Sequence, residues 1–239
     1  MENESQPLIC GFEETATRRA YVARPAHREP RGVVAVVMEL FGLNDHIQAV
    51  TRDVATLGYV AVAPDFQNGK TFEYADLQGA RGGLAGLNDD IVLRDLDAAW
   101  DHGVRVHSAP GALAALGFCM GGRMAYLAAC ARPIRAAVSY YGGGIAVDAR
   151  PWGPFPLERT SEMTGGVLLH FGRHDPFIPP DRIAAIESVL LKDGKDHLIA
   201  VYPDAGHGFH CPDRADFNAV ASVQSWAVTA AFLHGRMSR

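Results

Sequence analysis

The sequence predicts an α/β fold in which a mostly parallel central sheet carries helices on both faces. Three observations predict it. Short β-branched runs alternate with helical stretches, several of those runs are apolar throughout rather than alternating, and no internal repeat or low-complexity tract interrupts the pattern. The expected strands are Gly32–Met38, Tyr59–Pro64, Ala112–Phe118, Ala136–Tyr141, Gly166–Phe171 and His197–Tyr202, with Thr15–Arg24 as an antiparallel strand at one edge. Between them, Asp45 is expected to cap a helix running to about Leu57, with Gly58 as its stop. Asp89–Gly103 spaces Ile91, Leu93, Leu96, Ala99 and Trp100 at helical intervals. Gly121–Ala131 is small and apolar, as suits a central helix pressed on the sheet, and Pro180–Leu191 and Asp216–Leu233 complete the set. Phe66–Asn88 and Gly142–Thr164 are rich in Gly, Pro and polar residues and follow strand ends, where ligand-facing loops belong.

The chain has 239 residues, read here as one domain spanning 1–239, and its 48% hydrophobic content supplies a core and excludes general disorder. Net charge is -5 and the basic residues are scattered, without the clustered stripe that nucleic-acid binding requires. A small-molecule partner fits this balance better. The four cysteines, Cys10, Cys119, Cys130 and Cys211, show no compact disulfide framework in a chain of this length. Met1 to Pro7 is polar and acidic, unlike a secretory signal, and no apolar run approaches the roughly 20 residues of a membrane span. These features point to a cytoplasmic protein with free thiols, acting as a monomer or small homo-oligomer.

The strongest chemical signal is the run Ala112–Phe118 entering Cys119-Met120-Gly121-Gly122 and then a helix. This is the pattern of a nucleophile elbow, with cysteine where serine is commoner. A sharp strand-to-helix turn forces an unusual backbone on the nucleophile, so the residues two away must be small. Gly117 and Gly121 meet that demand, and Gly122 permits close helix–sheet packing. The turn also places sulfur at a helix amino terminus, whose dipole favours thiolate. An isolated cysteine would be read as a buried structural residue. Cys10, Cys130 and Cys211 are read that way, because they lack the strand, the glycines and the helix.

Such a nucleophile needs a base and a group that orients the base. Gly166–Phe171 leads to Gly172-Arg173-His174-Asp175, and the next strand leads to Asp204-Ala205-Gly206-His207-Gly208. Cys119, Asp175 and His207 therefore follow the nucleophile–acid–histidine order of α/β-hydrolases. Asp204 is the second choice of acid, since it lies on the base's own loop. Glu39 ends an apolar strand, where a lone buried carboxylate is costly and its pKa rises. It is read as a carboxylate beside the nucleophile, against the plainer reading that it meets water. The backbone N–H groups of Leu40 and Met120 are the expected oxyanion donors.

These residues resemble the dienelactone hydrolases (carboxymethylenebutenolidases). The resemblance runs from about Gly11 to Leu233. It rests on Met38-Glu39-Leu40-Phe41-Gly42-Leu43-Asn44, Val62-Ala63-Pro64-Asp65, Gly117-Phe118-Cys119-Met120-Gly121-Gly122-Arg123, Tyr140-Tyr141-Gly142 and Gly206-His207-Gly208-Phe209. It implies a Cys119–His207–Asp175 triad, a Glu39 that contacts the resting thiol and helps form the thiolate when substrate binds, and no cofactor or metal. It also implies ring opening of an enol-lactone to a maleylacetate-type keto acid, in the bacterial breakdown of aromatic compounds. Members of the family hold the substrate carboxylate with arginines, one a few residues after the catalytic histidine. Here that position is Cys211, with Arg214 slightly later, so Arg81, Phe41 and Arg214 are the candidate substrate-binding residues.

The function read from the sequence is a carboxylic ester hydrolase that opens a lactone or cleaves an activated ester through a cysteine thioester. The alternatives are a broad carboxylesterase or thioesterase, a thiol-redox protein, a non-catalytic binding protein, and a metal site built from His170, His174, His207 and His210. The thiol-redox reading lacks a Cys-x-x-Cys pair, and the histidine spacings match no strong zinc motif.

Overall fold

The computed structural model describes residues 7–146 and 155–238. Eight strands form one sheet: β1 (Leu8–Glu14), β2 (Arg19–Pro25), β3 (Val33–Val37), β4 (Val60–Pro64), β5 (Leu113–Phe118), β6 (Ala136–Tyr140), β7 (Gly166–Gly172) and β8 (His197–Tyr202). Their order across the sheet is β1-β2-β4-β3-β5-β6-β7-β8, with β2 antiparallel to both β1 and β4 and the remaining pairs parallel. Every residue of β3, β4, β6 and β7 is buried, as continuous apolar runs covered on both faces require. β8 closes one edge and is only partly buried.

Six α-helices cover the sheet: α1 (Asp45–Thr56), α2 (Leu77–Gly83), α3 (Asp89–Arg105), α4 (Met120–Ala131), α5 (Pro180–Lys192) and α6 (Ala219–Met237). Asparagine side chains start three of them. Asn44, Asn88 and Asn218 accept from the N–H groups of Ile47, Ile91 and Ala221, satisfying amides that have no intrahelical partner. Among the described residues, no helix is long and apolar enough to cross a membrane.

The structure corrects several sequence expectations. The antiparallel strand expected over Thr15–Arg24 starts only at Arg19 and lies second from the edge, inside β1. The Thr15 hydroxyl accepts from the Arg18 N–H at 3.2 Å and donates to the Arg18 carbonyl at 2.7 Å, so Thr15–Arg18 is the turn that joins β1 to β2. Asn44, not Asp45, caps α1, and Asn218 delays the last helix to Ala219. The segment Phe66–Asn88 contains α2, and Gly142–Thr164 contains a 3-10 helix at Pro156–Glu162, with residues 147–154 outside the described ones.

The register of β3 and β5 builds the site. Val37 pairs with Gly117, so Glu39 and Cys119, each two residues further on, emerge side by side at the carboxyl edge of the sheet. β3 has β4 on one side and β5 on the other, which makes this edge the point where connections leave in opposite directions and a crevice opens. α4 packs onto that edge with no space to spare. A Cβ at Gly117 would collide with the Gly121 carbonyl, and one at Gly121 with the Val37 and Met38 carbonyls. At Gly122 it would lie 2.7 Å from Ser139 Oγ. Behind α4, the buried Arg123 guanidinium makes paired bonds of 2.7 and 3.1 Å to Asp89 at the start of α3.

Replacing Gly121 with Ala forces a methyl group into backbone carbonyls that cannot rotate away. Urea unfolding of Gly121→Ala is expected to show a loss of about 1–3 kcal/mol. Gly143→Ala, where a Cβ meets nothing within 4 Å, is expected to change stability by less than about 0.5 kcal/mol.

Candidate active site

Cys119 sits between β5 and α4 with φ +53° and ψ -115°, an unusual backbone for a residue with a side chain. Strain of this kind costs on the order of 1–3 kcal/mol and persists only where the surroundings dictate it. Here its N–H donates to the Tyr140 carbonyl at 3.0 Å, and the glycine contacts on either side fix the turn. The sulfur is left partly exposed at the first turn of α4.

His207 Nε2 lies 3.1 Å from Cys119 Sγ, and its Nδ1 lies 2.7 Å from Asp175 Oδ2. The three side chains come from the ends of β5, β7 and β8 and meet at one point. Asp175 also accepts from the Phe177 N–H at 2.8 Å, which fixes its carboxylate on the turn after β7. Asp204, the second choice of acid, is exposed, and its carbonyl is taken by the Asn218 amide instead. The rings of Tyr141 and Phe177 stand edge-on to the imidazole, with centroids 5.2 and 5.0 Å away. Burial alone would push the His207 pKa down. The Cys119 sulfur and then the Asp175 carboxylate outweigh burial and raise it to about 10.

Glu39 is buried beside this line. Its carboxylate faces Arg214, with both oxygens 3.4 Å from the same guanidinium nitrogen. Burial raises its pKa, and the Arg214 charge opposes that rise, with smaller help from His207 and Tyr141. The Tyr141 hydroxyl is buried without a partner in hydrogen-bond geometry among the described residues, although it lies close enough to Glu39 to favour the ionised form. The direct Glu39–thiol contact expected from the family resemblance is not made in this arrangement. Among the described residues Cys119 Sγ bonds to His207, while the nearby guanidinium attracts Glu39.

The remaining candidates divide. The Leu40 and Met120 amides have no acceptor among the described residues, and Gln67 holds the Leu40 loop by donating to the Leu40 and Ala80 carbonyls at 2.7 and 2.8 Å. Phe41 is buried and lies edge-on to Tyr74, and the Arg214 guanidinium stands over both rings at 5.7 and 5.5 Å. Gly208, at φ +86°, makes room for it, since a Cβ there would run into Arg214. Arg81 is exposed on α2 and bonds to none of these residues. Tyr74 was not foreseen. It bonds to Cys211 Sγ at 2.9 Å, which ties the Phe66–Asn88 segment to the histidine loop.

The histidines weighed as a metal site do not converge. His170 is buried between Thr229 and Tyr202, His174 is exposed, and His210 bonds to His46 at 3.2 Å. Burial lowers the pKa of His46 and His170 to about 3 and that of His210 to about 4, so these rings are neutral. His207 is the exception, because it faces a sulfur and a carboxylate. A folded pKa above the ordinary imidazole value means that protonated His207 stabilises the fold below about pH 6.5. That stability is lost as pH rises through about 10. NMR titration is expected to place the His207 transition well above an ordinary imidazole in the native chain and lower in Cys119→Ala. An equal value in both would show that the sulfur does not set it.

Comparison with known proteins identifies the family. The family model described as the dienelactone hydrolase family matches residues 18–236. A Synechocystis sp. protein named as a carboxymethylenebutenolidase is 35% identical over 213 residues, covering 86% of this chain and 87% of that protein. A Bradyrhizobium sp. protein named as a 2-oxo-3-(5-oxofuran-2-ylidene)propanoate lactonase is 32% identical over 225 residues, covering 91% and 89%. The crystal structure of a Klebsiella pneumoniae protein described as a dienelactone hydrolase superposes with a TM-score of 0.87 at 29% identity, covering 95% of this chain and 99% of that one. The chain therefore belongs to the dienelactone hydrolase family, hydrolases of ester or lactone bonds on the α/β-hydrolase fold.

Proposed function

We propose that the chain hydrolyses a carboxylate-bearing enol-lactone, or a related activated ester, through a thioester on Cys119. The observation that carries the reading is His207, held between Cys119 Sγ and Asp175 Oδ2 at 3.1 and 2.7 Å. In the reacting pair His207, 3.1 Å from the sulfur, takes the thiol proton and Cys119 attacks as the thiolate. The thiolate attacks the carbonyl carbon, and the carbonyl oxygen becomes an oxyanion bound by the Leu40 and Met120 amides. Collapse expels the enolate or alkoxide, which takes the proton from His207 and leaves the acyl group on sulfur. Neutral His207, oriented by Asp175, then removes a proton from water as its oxygen attacks the thioester. Collapse releases the acid and restores thiolate and imidazolium.

Support for an anionic substrate comes from Arg214. It reaches the site through Gly208, faces Glu39 and is 16% exposed, so a cation is available to a bound carboxylate. Phe41 and Tyr74, packed edge to face beneath it, give this side of the site an apolar backing. The lactonase name of the Bradyrhizobium relative points the same way.

Steady-state kinetics on a matched pair of aryl esters, one with and one without a free carboxylate, tests both parts. Cys119→Ala is expected to abolish turnover of both esters while keeping the native circular dichroism. Arg214→Ala is expected to lower kcat/KM for the carboxylated ester by about 10- to 100-fold more than for the neutral one, the range for a lost charged hydrogen bond. Equal losses on the two esters would instead favour a broad carboxylesterase with no carboxylate subsite.

A further inference from the structure

A second group of chemically capable side chains lies away from the elbow, at the far edge of the sheet. Glu13 is on β1, four strand positions from β5. Its Oε2 lies 2.7 Å from His102 Nε2 and 2.9 Å from His107 Nε2. His102 is in the last turn of α3, and His107 follows the C-cap residue Val106. The chain reverses just there, because Ser108 adopts φ +53° and the Ala109 N–H donates to the Gly103 carbonyl at 3.2 Å. That reversal brings His107 back beside His102, and the rings meet edge to face with centroids 5.3 Å apart. Both imidazole side chains are 9% exposed, against 31% for Glu13, so the cluster is closed behind the rings and open past the carboxylate. The three ligand atoms lie within 4.8 Å of one another, and among the described residues this is the one such group.

We propose that Glu13, His102 and His107 bind a single divalent transition-metal ion of the zinc class, which fastens the β1–β2 hairpin to α3. Two imidazole nitrogens and one carboxylate oxygen are a zinc ligand set, with water for the fourth position on the open side. Metal–ligand lengths of about 2.0–2.2 Å at tetrahedral angles separate the donor atoms by roughly 3.3–3.5 Å. The present contacts of 2.7 and 2.9 Å are shorter, so the groups must part by roughly half an ångström, a movement within reach of side-chain torsions. Calcium and magnesium are poor fits, because they require a shell of oxygens. Nickel and copper(II) share the preference for imidazole and compete for the site. The hairpin is already tied to the same helix, since Arg18 in its turn donates to the buried Asp95 of α3 at 2.6 Å. An ion at Glu13 would reinforce a contact that the fold makes, not create one against it. The rival is a metal-free cluster in which two imidazole N–H groups donate to one carboxylate oxygen.

Zinc chloride titrated calorimetrically into the untagged Cys119→Ser chain separates the two. That background removes the reactive thiolate as a competing ligand. We expect one equivalent to bind with micromolar or tighter Kd and to raise the thermal midpoint. Glu13→Gln and His107→Gln are each expected to weaken binding at least tenfold. With Cys119 intact and zinc absent, the same two substitutions are expected to leave ester turnover unchanged. Cobalt(II) added to the Cys119→Ser chain gives a readout needing no ligand variant, an intense visible band of tetrahedral coordination that saturates at one equivalent. No saturable zinc binding, zinc binding retained at parental strength by both variants, or no such cobalt band would overturn the site.

Discussion

The close approach of α4 to β3 and β5 is the constraint on which the site depends. No methyl group fits at positions 117 or 121, so the chain can pass from strand to helix only by a turn that holds Cys119 at positive φ. The turn projects the sulfur over the sheet edge, where the ends of β7 and β8 deliver Asp175 and His207. It also leaves the Met120 amide at the start of a helix, without an acceptor among the described residues. Strain at one residue, the helix terminus and the reach of the histidine thus follow from a single packing condition. The register of β3 against β5 adds the neighbouring carboxylate, because Glu39 leaves the sheet level with Cys119.

Two charge arrangements share this small volume. In one, the sulfur and Asp175 draw a proton onto His207 against the cost of burial. In the other, Arg214 reduces the cost of burying Glu39. They are coupled, since His207 helps to hold Glu39 ionised and the charge of Glu39 raises the pKa of the buried Tyr141 hydroxyl. A bound carboxylate would compete with Glu39 for Arg214 and leave Glu39 without its cation. On the proposed reading, substrate binding therefore changes the electrostatic setting of the thiol as well as placing the reacting carbonyl.

Much of this was legible in the sequence because the physics was local or strongly patterned. Strands covered on both faces read as apolar runs, and the glycines around Cys119 announced a turn that excludes side chains. The order Cys119, Asp175, His207 marked three strand ends, and the structure brings Cys119 and Asp175 each within hydrogen-bonding reach of His207. What escaped were interactions between segments distant in sequence or decided by one side chain. The Thr15 hydroxyl turned the first residues of an expected strand into a hairpin turn, and asparagines took the caps of α1 and α6. The Arg214–Glu39 pairing depends on Gly208 lacking a side chain, and the Tyr74–Cys211 bond joins residues 137 apart. No spacing rule could have paired them. Glu13, His102 and His107 were passed over for the same reason, since a hairpin edge and a helix end meet only in the fold.

On the proposed mechanism Cys119 carries the acyl group during turnover. The most direct measurement is intact-mass spectrometry after rapid mixing with a slowly hydrolysed aryl ester, followed by peptide mapping. One acyl group per chain is expected, on the peptide containing Cys119, with the hydroxylamine sensitivity of a thioester. An acyl group mapped to another residue, or turnover in which Cys119 is never acylated, would contradict it.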